Sequence, residues 1–207
     1  MMFDLPPPDP GIEFVVASRG MSKGIAQTEG PQTLIRPFVQ MGPVQVGAQW
    51  KNLSSPVAGG EASTFVTVAP KIGQFQLNAG VAYKLQTGVH GPTDNKSWEF
   101  TGNVTRKFGK LSLRVAAIYS PDDLGGAERS FFVEGGPTLE IGKTTRISAA
   151  VGRRDRVNGD DYTAFNAGIA KTLFKGVTLD ARYYGTNQSD LGEFLEDRLV
   201  VSARMSF

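Results

Sequence analysis

The final twelve residues, 196–207, alternate an apolar set with a mostly polar one and stop on an aromatic. Leu199, Val201, Ala203, Met205 and Phe207 share one face, and Arg198, Ser202, Arg204 and Ser206 share the other with Val200. A strand with one apolar and one charged surface suits a wall between lipid and water. The same period of two recurs at 74–86, where Phe75, Leu77, Ala79, Val81, Tyr83 and Leu85 oppose Gln74, Gln76, Asn78, Lys84 and Gln86. It recurs again at 111–119.

No run approaches the roughly 20 apolar residues of a membrane helix, which excludes a helical membrane protein but not a barrel, where only alternate residues meet lipid. Apolar residues make up 40% of the chain, compatible with such a wall, and 25 glycines favour strands and turns. Cysteine is absent, so thiolate chemistry is excluded, and a net charge of +2 gives no reason to expect nucleic acid as a partner. The start lacks a basic leader and an apolar signal core. A barrel in an outer membrane must be exported, so the sequence is expected to be a mature form. Residues 1–10, with Pro6, Pro7, Pro8 and Pro10, read as a stiff extended tail before a barrel domain at 11–207.

Twelve extended segments follow: 11–20, 32–41, 44–51, 61–70, 74–86, 96–107, 110–120, 127–140, 145–155, 160–172, 177–184 and 196–207. Short links at 42–43, 72–73, 108–109, 142–143 and 174–176 alternate with longer polar links at 21–31, 52–60, 87–95, 121–126, 156–159 and 185–195. That alternation predicts an all-β, antiparallel up-and-down transmembrane barrel of 12 strands in a bacterial outer membrane, with both termini on the periplasmic side. A soluble sandwich would not need such asymmetric turns. Pro37 lacks the ladder donor and marks the second strand as irregular. Trp50, Tyr83, Trp98, Tyr119, Phe131 and Tyr183 fall near the long links, and Phe75, Phe108, Phe174 and Phe207 near the short ones, as two girdles would require.

Several of these segments resemble the TorF-like porins of proteobacteria. The resemblance rests on 16–23, with Arg19-Gly20 and Ser22; on the glycine-rich second and third strands; on 162–172 preceded by 151–155; and on the closing 200–207. The stretch 32–36 departs from the glycine pair usual there. The resemblance implies passive residence in the outer membrane, with no catalytic residue to transfer. The terminal Phe207 likewise resembles the signal read by the barrel assembly machinery.

The face opposite the apolar stripe turns Lys84, Arg114, Arg146, Arg154, Arg182, Arg198 and Arg204 into the lumen, with Glu99, Glu134, Glu140 and Asp180. A charge facing lipid at mid-depth costs about 2–4 kcal/mol, so these groups line water or pair with one another. Twelve strands at 4.8 Å spacing, tilted about 40°, give a backbone radius of about 12 Å, hence a narrow pore at most. The seven cations against four anions favour a passive channel with a mild anion preference. The alternatives are a lumen plugged by ion pairs, or an accessory barrel binding a protein partner at 21–31 or at 185–195, where Leu191, Phe194 and Leu195 sit among polar residues. Lipids, lipopolysaccharide and the assembly machinery are the other expected partners.

An enzymatic role would need a base. The single His90 is in a link, with Asp94 near it and Ser120 or Ser130 at the same rim; a barrel hydrolase built on them is the least supported reading. No cofactor or metal is expected: Asp122-Asp123 and Asp160-Asp161 lack a calcium-loop pattern, and Gly59-Gly60 and Gly125-Gly126 read as turn formers. Arg153-Arg154-Asp155-Arg156 could meet lipid phosphates or pair internally.

Overall fold

The computed structural model describes residues 6–55, 58–90, 94–124 and 127–207. Within them twelve long strands form the wall: β1 Asp9–Ala17, β2 Gln32–Met41, β3 Val44–Ser55, β4 Ala58–Val68, β5 Phe75–Thr87, β6 Lys96–Phe108, β7 Leu111–Asp123, β8 Glu128–Glu140, β9 Thr145–Arg156, β10 Tyr162–Phe174, β11 Val177–Thr186 and β12 Arg198–Ser206. Each pairs antiparallel with its neighbours in sequence, and β12 returns to β1 with Glu13 opposite Ser206 and Ala17 opposite Ser202. The ring is closed, so every wall strand has two partners. Closure matters because an unpaired amide in hydrocarbon costs several kcal/mol.

Register sorts the side chains as the alternation requires. Trp98, Phe100, Val115, Phe131, Ile169 and Leu199 stand on the exposed outer face, while Glu99, Phe132, Tyr162 and Val200 are buried inside. Aromatic pairs bridge adjacent strands on the outer surface: Tyr83 and Trp98 have centroids 5.0 Å apart, Phe100 and Tyr119 6.3 Å, Phe165 and Tyr183 6.4 Å. At the rim holding both chain ends, Phe207 meets Phe14 edge-on at 6.4 Å, and its N–H and carbonyl both bond to the backbone of Ile12 at 3.0 Å.

The β2–β3 ladder keeps one register but lapses at Arg36 and Pro37. Pro37 has no N–H to contribute there, while on its other side it still pairs in register with Ile12 of β1.

Three of the boundaries that differ from the sequence reading change what the links are. First, β1 begins at Asp9, because Asp9 and Pro10 already face Gln40 and Val39. Second, β3 and β4 run on to Ser55 and from Ala58, so the expected link 52–60 is largely paired strand and Gly59-Gly60 belong to β4. Third, β7 continues through Pro121 to Asp123. Gly125-Gly126 lie outside the described residues. Much of the asymmetry between the rims is therefore overhang of paired strands, since hairpins can keep their ladder bonds beyond the lipid.

One wall contact leaves no room for a side chain. A Cβ on Gly136 of β8 would lie 1.9 Å from the Ala149 carbonyl oxygen of β9. The β8–β9 ladder pauses there, between Gly135 and Thr138.

Candidate functional site

The link between β1 and β2 does not stand out in solvent. It turns into the barrel as a two-stranded hairpin, Met21–Ser22 against Ile25–Ala26, with Lys23 and Gly24 at its tip. Both tip residues have positive φ, 51° and 85°, the backbone of a tight primed hairpin turn, which glycine adopts freely and lysine at some cost. At its base Thr28 is fully buried; its hydroxyl accepts from the Gly20 amide at 2.8 Å and donates to the Gly30 carbonyl at 2.6 Å. Lys51 of β3 donates to the Gln27 side chain at 2.7 Å, and Arg19 pairs with Glu193 of the last link at 2.8 Å.

The tip reaches across to the opposite wall. The Tyr162 hydroxyl donates to the Lys23 carbonyl at 2.8 Å, and Gly24 abuts Ala164 so closely that a Cβ there would lie 2.2 Å from the alanine methyl. The Lys23 ammonium sits 3.1 Å from both Glu99 and Asp123. It is the central link in an alternating chain of charges: Lys51 to Glu61 at 3.2 Å, Glu61 to Lys84 at 3.9 Å, Lys84 to Glu99 at 2.7 Å, then Lys23, then Asp123 to Arg154 at 2.6 Å. None of these side chains is more than 13% exposed. Asp123 also accepts from the Ser130 hydroxyl at 2.6 Å, so one carboxylate holds three groups. Losing any one partner here would leave a charge buried and unmatched, so the network fixes where the hairpin sits.

The hairpin partitions the lumen. Toward β7–β11, on the side of the tip nearer the chain ends, is a cavity of about 330 Å³ bounded by Lys23, Arg114, Glu134, Asn166, Arg182 and Tyr184. Toward β2–β6 is one of about 280 Å³ with Arg36, Lys51, Glu61, Phe65, Lys84 and Glu99. Above the hairpin, at the mouth, a third of about 320 Å³ is bordered by Lys23, Glu61, Lys84, Asp123, Arg154 and Phe194.

The charges anticipated from alternation take several different positions. Lys84, Glu99 and Arg154 belong to the chain of ion pairs. Arg114 pairs with Glu134 at 2.8 Å, and Arg182 contacts Asp180 at 3.2 Å while donating to Asn166 and Ser148 at 2.7 Å. Glu140 is taken by Lys107 at 2.6 Å, leaving its cross-strand neighbour Arg146 exposed. Arg204 lies 3.6 Å from Glu13 at the end of the barrel that holds the termini. Arg198 is spent on the Glu193 and Glu196 carbonyls of the last link.

Lys23, Lys51, Glu61, Asp123 and Arg36 were not among the lumenal charges read from the sequence. Lys51 and Glu61 are the end residues of the segments 44–51 and 61–70, where the parity of Val44, Val46 and Trp50 and of Ala62, Val66 and Val68 already turns them inward. Lys23-Gly24 between Met21 and Ile25 has the pattern of a two-residue hairpin turn.

The remaining motifs separate by face. Asp122-Asp123 is split, with Asp122 exposed and Asp123 buried, and Arg153-Arg154 likewise: Arg153 pairs outside with Asp155 and Asp161, Arg154 inside. The Ser120 hydroxyl is 2.8 Å from that of Ser97, Ser130 is held by Asp123, and no described contact joins His90 to either serine. Among the described residues no group of three carboxylates or histidines could hold a metal ion. The hairpin part of 21–31 lies within the lumen, and in the last link Leu191 is exposed while Phe194 overhangs the mouth.

The family described as Gram-negative porins matches residues 33–191, more than half of the chain. The chain belongs to that family. No curated protein matches the sequence of this porin. Its solved structural relatives include a KdgM porin in complex with disordered oligogalacturonate (TM-score 0.68, 10% identity, 95% of this chain and 99% of that one). A NanC porin follows at TM-score 0.62 and 10% identity, covering 94% and 97%. An outer-membrane channel from Pseudomonas putida gives 0.54 and 12%, covering 95% and 93%. At such identities the likeness is one of fold. The porin is thus an outer-membrane β-barrel of the channel-forming kind.

Proposed function

We propose that this porin is a passive channel for small ions and small polar solutes, with a mild preference for anions. The observation that carries the reading is the sign of the charge around each water-accessible space. Lys23, Arg114 and Arg182 face Glu134 alone in the largest; Arg36, Lys51 and Lys84 face Glu61 and Glu99 in the second; Lys23, Lys84 and Arg154 face Glu61 and Asp123 at the mouth. Each has a positive surplus, and a surplus on low-dielectric walls raises the local anion concentration. In a planar bilayer under a KCl gradient, the reversal potential is expected on the chloride side of zero; a potential on the potassium side overturns the preference.

A closed or accessory barrel is the second reading, favoured by the tethering of Lys23 to two carboxylates and of its carbonyl to Tyr162. A silent bilayer would establish it over the channel.

Two narrower assignments accompany this. Within the Gram-negative porins we place the chain beside the TorF-like group, supported by the segments 16–23, 162–172 and 200–207. We also assign Phe207 the role of assembly signal, supported by its exposed ring at the end of the closing strand. Deleting Phe207 should lower the yield of folded barrel in outer membranes several-fold while purified, refolded protein stays competent; equal yields would remove that role.

A further inference from the structure

The largest lumenal cavity has more hydrogen-bonding capacity than the protein itself uses. We propose that it is a binding subsite for a monocarboxylated, polyhydroxylated solute the size of one sugar ring, with the Arg114 guanidinium receiving the carboxylate and Tyr184 and Asn166 the hydroxyls. The proposal rests on the channel reading and names the solute class that the channel would hold.

Arg114 and Arg182 differ in what they have left to give. Every nitrogen of Arg182 is engaged, by Asp180, Asn166 or Ser148, so it is a fixed positive wall. Arg114 makes one contact, from a single terminal nitrogen to Glu134 at 2.8 Å, and its side chain is 49% exposed. A guanidinium carries five N–H donors in a planar fork, so the remaining edge of Arg114 matches a carboxylate.

The neutral groups point to hydroxyls. Asn166 gives its oxygen to Arg182, which leaves its NH₂ as donor toward the cavity. Tyr184 and Thr138 line the same space, and among the described residues neither hydroxyl has a partner. Convergent donors and acceptors of this kind, in a volume of about 330 Å³, suit a small polar ligand better than a bare ion, which would leave them bonded only to water. The sign of the ligand follows from Lys23, Arg114 and Arg182 outnumbering Glu134 on the lining and Asp180 beside Arg182.

The test is calorimetric titration of the detergent-folded porin with glucuronate, alongside acetate for the carboxylate alone and glucose for the hydroxyls alone. Glucuronate is expected to bind about tenfold more tightly than either control. Arg114→Gln should bring its affinity down to that of glucose, and Tyr184→Phe, which removes only the hydroxyl and keeps the ring, should weaken it several-fold. Equal affinity for glucuronate and acetate, or unchanged affinity in both variants, overturns the subsite. Conductance in KCl separates the two readings: current without glucuronate binding keeps the channel and defeats the site, and binding without current keeps the site and defeats the channel.

Discussion

Excising residues 21–26 and joining Gly20 to Gln27 through two glycines should raise single-channel conductance several-fold. The barrel wall does not need the hairpin: Ala17 and Gln32 already face each other across β1 and β2, and the Gln27 amide already bonds to the Gly20 carbonyl at 2.8 Å. The short link therefore closes a gap that is nearly closed. What the excision removes is the structure dividing an interior whose backbone radius is about 12 Å, including the tip that reaches Tyr162 and Ala164. Merging the three spaces widens the narrowest section, which sets the resistance of a pore. The same excision takes away Lys23 and leaves Glu99 and Asp123 with one cation fewer, so the reversal potential should move toward potassium as the current grows. A conductance equal to that of the intact porin would mean that the constriction lies elsewhere.

Asp123→Ala should have the largest effect on stability of any single lumenal substitution. One carboxylate oxygen accepts from Lys23 at 3.1 Å, from Arg154 at 2.6 Å and from Ser130 at 2.6 Å. Truncation strands Arg154, 11% exposed and with no other carboxylate in reach among the described residues, and leaves Lys23, 7% exposed, with Glu99 alone. Breaking a buried pair in this way costs about 3 kcal/mol, because the partner charge remains desolvated. The loss is to be read from urea-unfolding midpoints in lipid vesicles, followed by Trp50 and Trp98 fluorescence. As a control, Asp155→Ala disturbs an outer-surface pair with Arg153, both roughly half exposed, and should change the midpoint little. If the two variants unfold alike, water must already solvate the inner network.

Much of the wall could be read from the residues. In β5 the set Phe75, Leu77, Ala79, Val81, Tyr83 and Leu85 lies on the lipid-facing side, and β2 spans the predicted 32–41 with its irregularity at Pro37. Lys84, Glu99 and Arg154, set on the inward face by parity, sit in the chain of ion pairs. The link 21–31 was misjudged, since a polar glycine-bearing stretch between strands reads as a solvent loop whichever way it bends. Its direction depends on Glu99, Asp123 and Tyr162, residues on β6, β7 and β10 that lie 76, 100 and 139 positions away from Lys23.

Period-two alternation is a local property, written into each strand by which side chains tolerate hydrocarbon, and it sufficed for the class of fold and the strand number. Closure of the ring brought distant strands round to one interior. Only there could charges from six wall strands and one inward link find each other, because ion pairing depends on separation in space, which no spacing along the chain records.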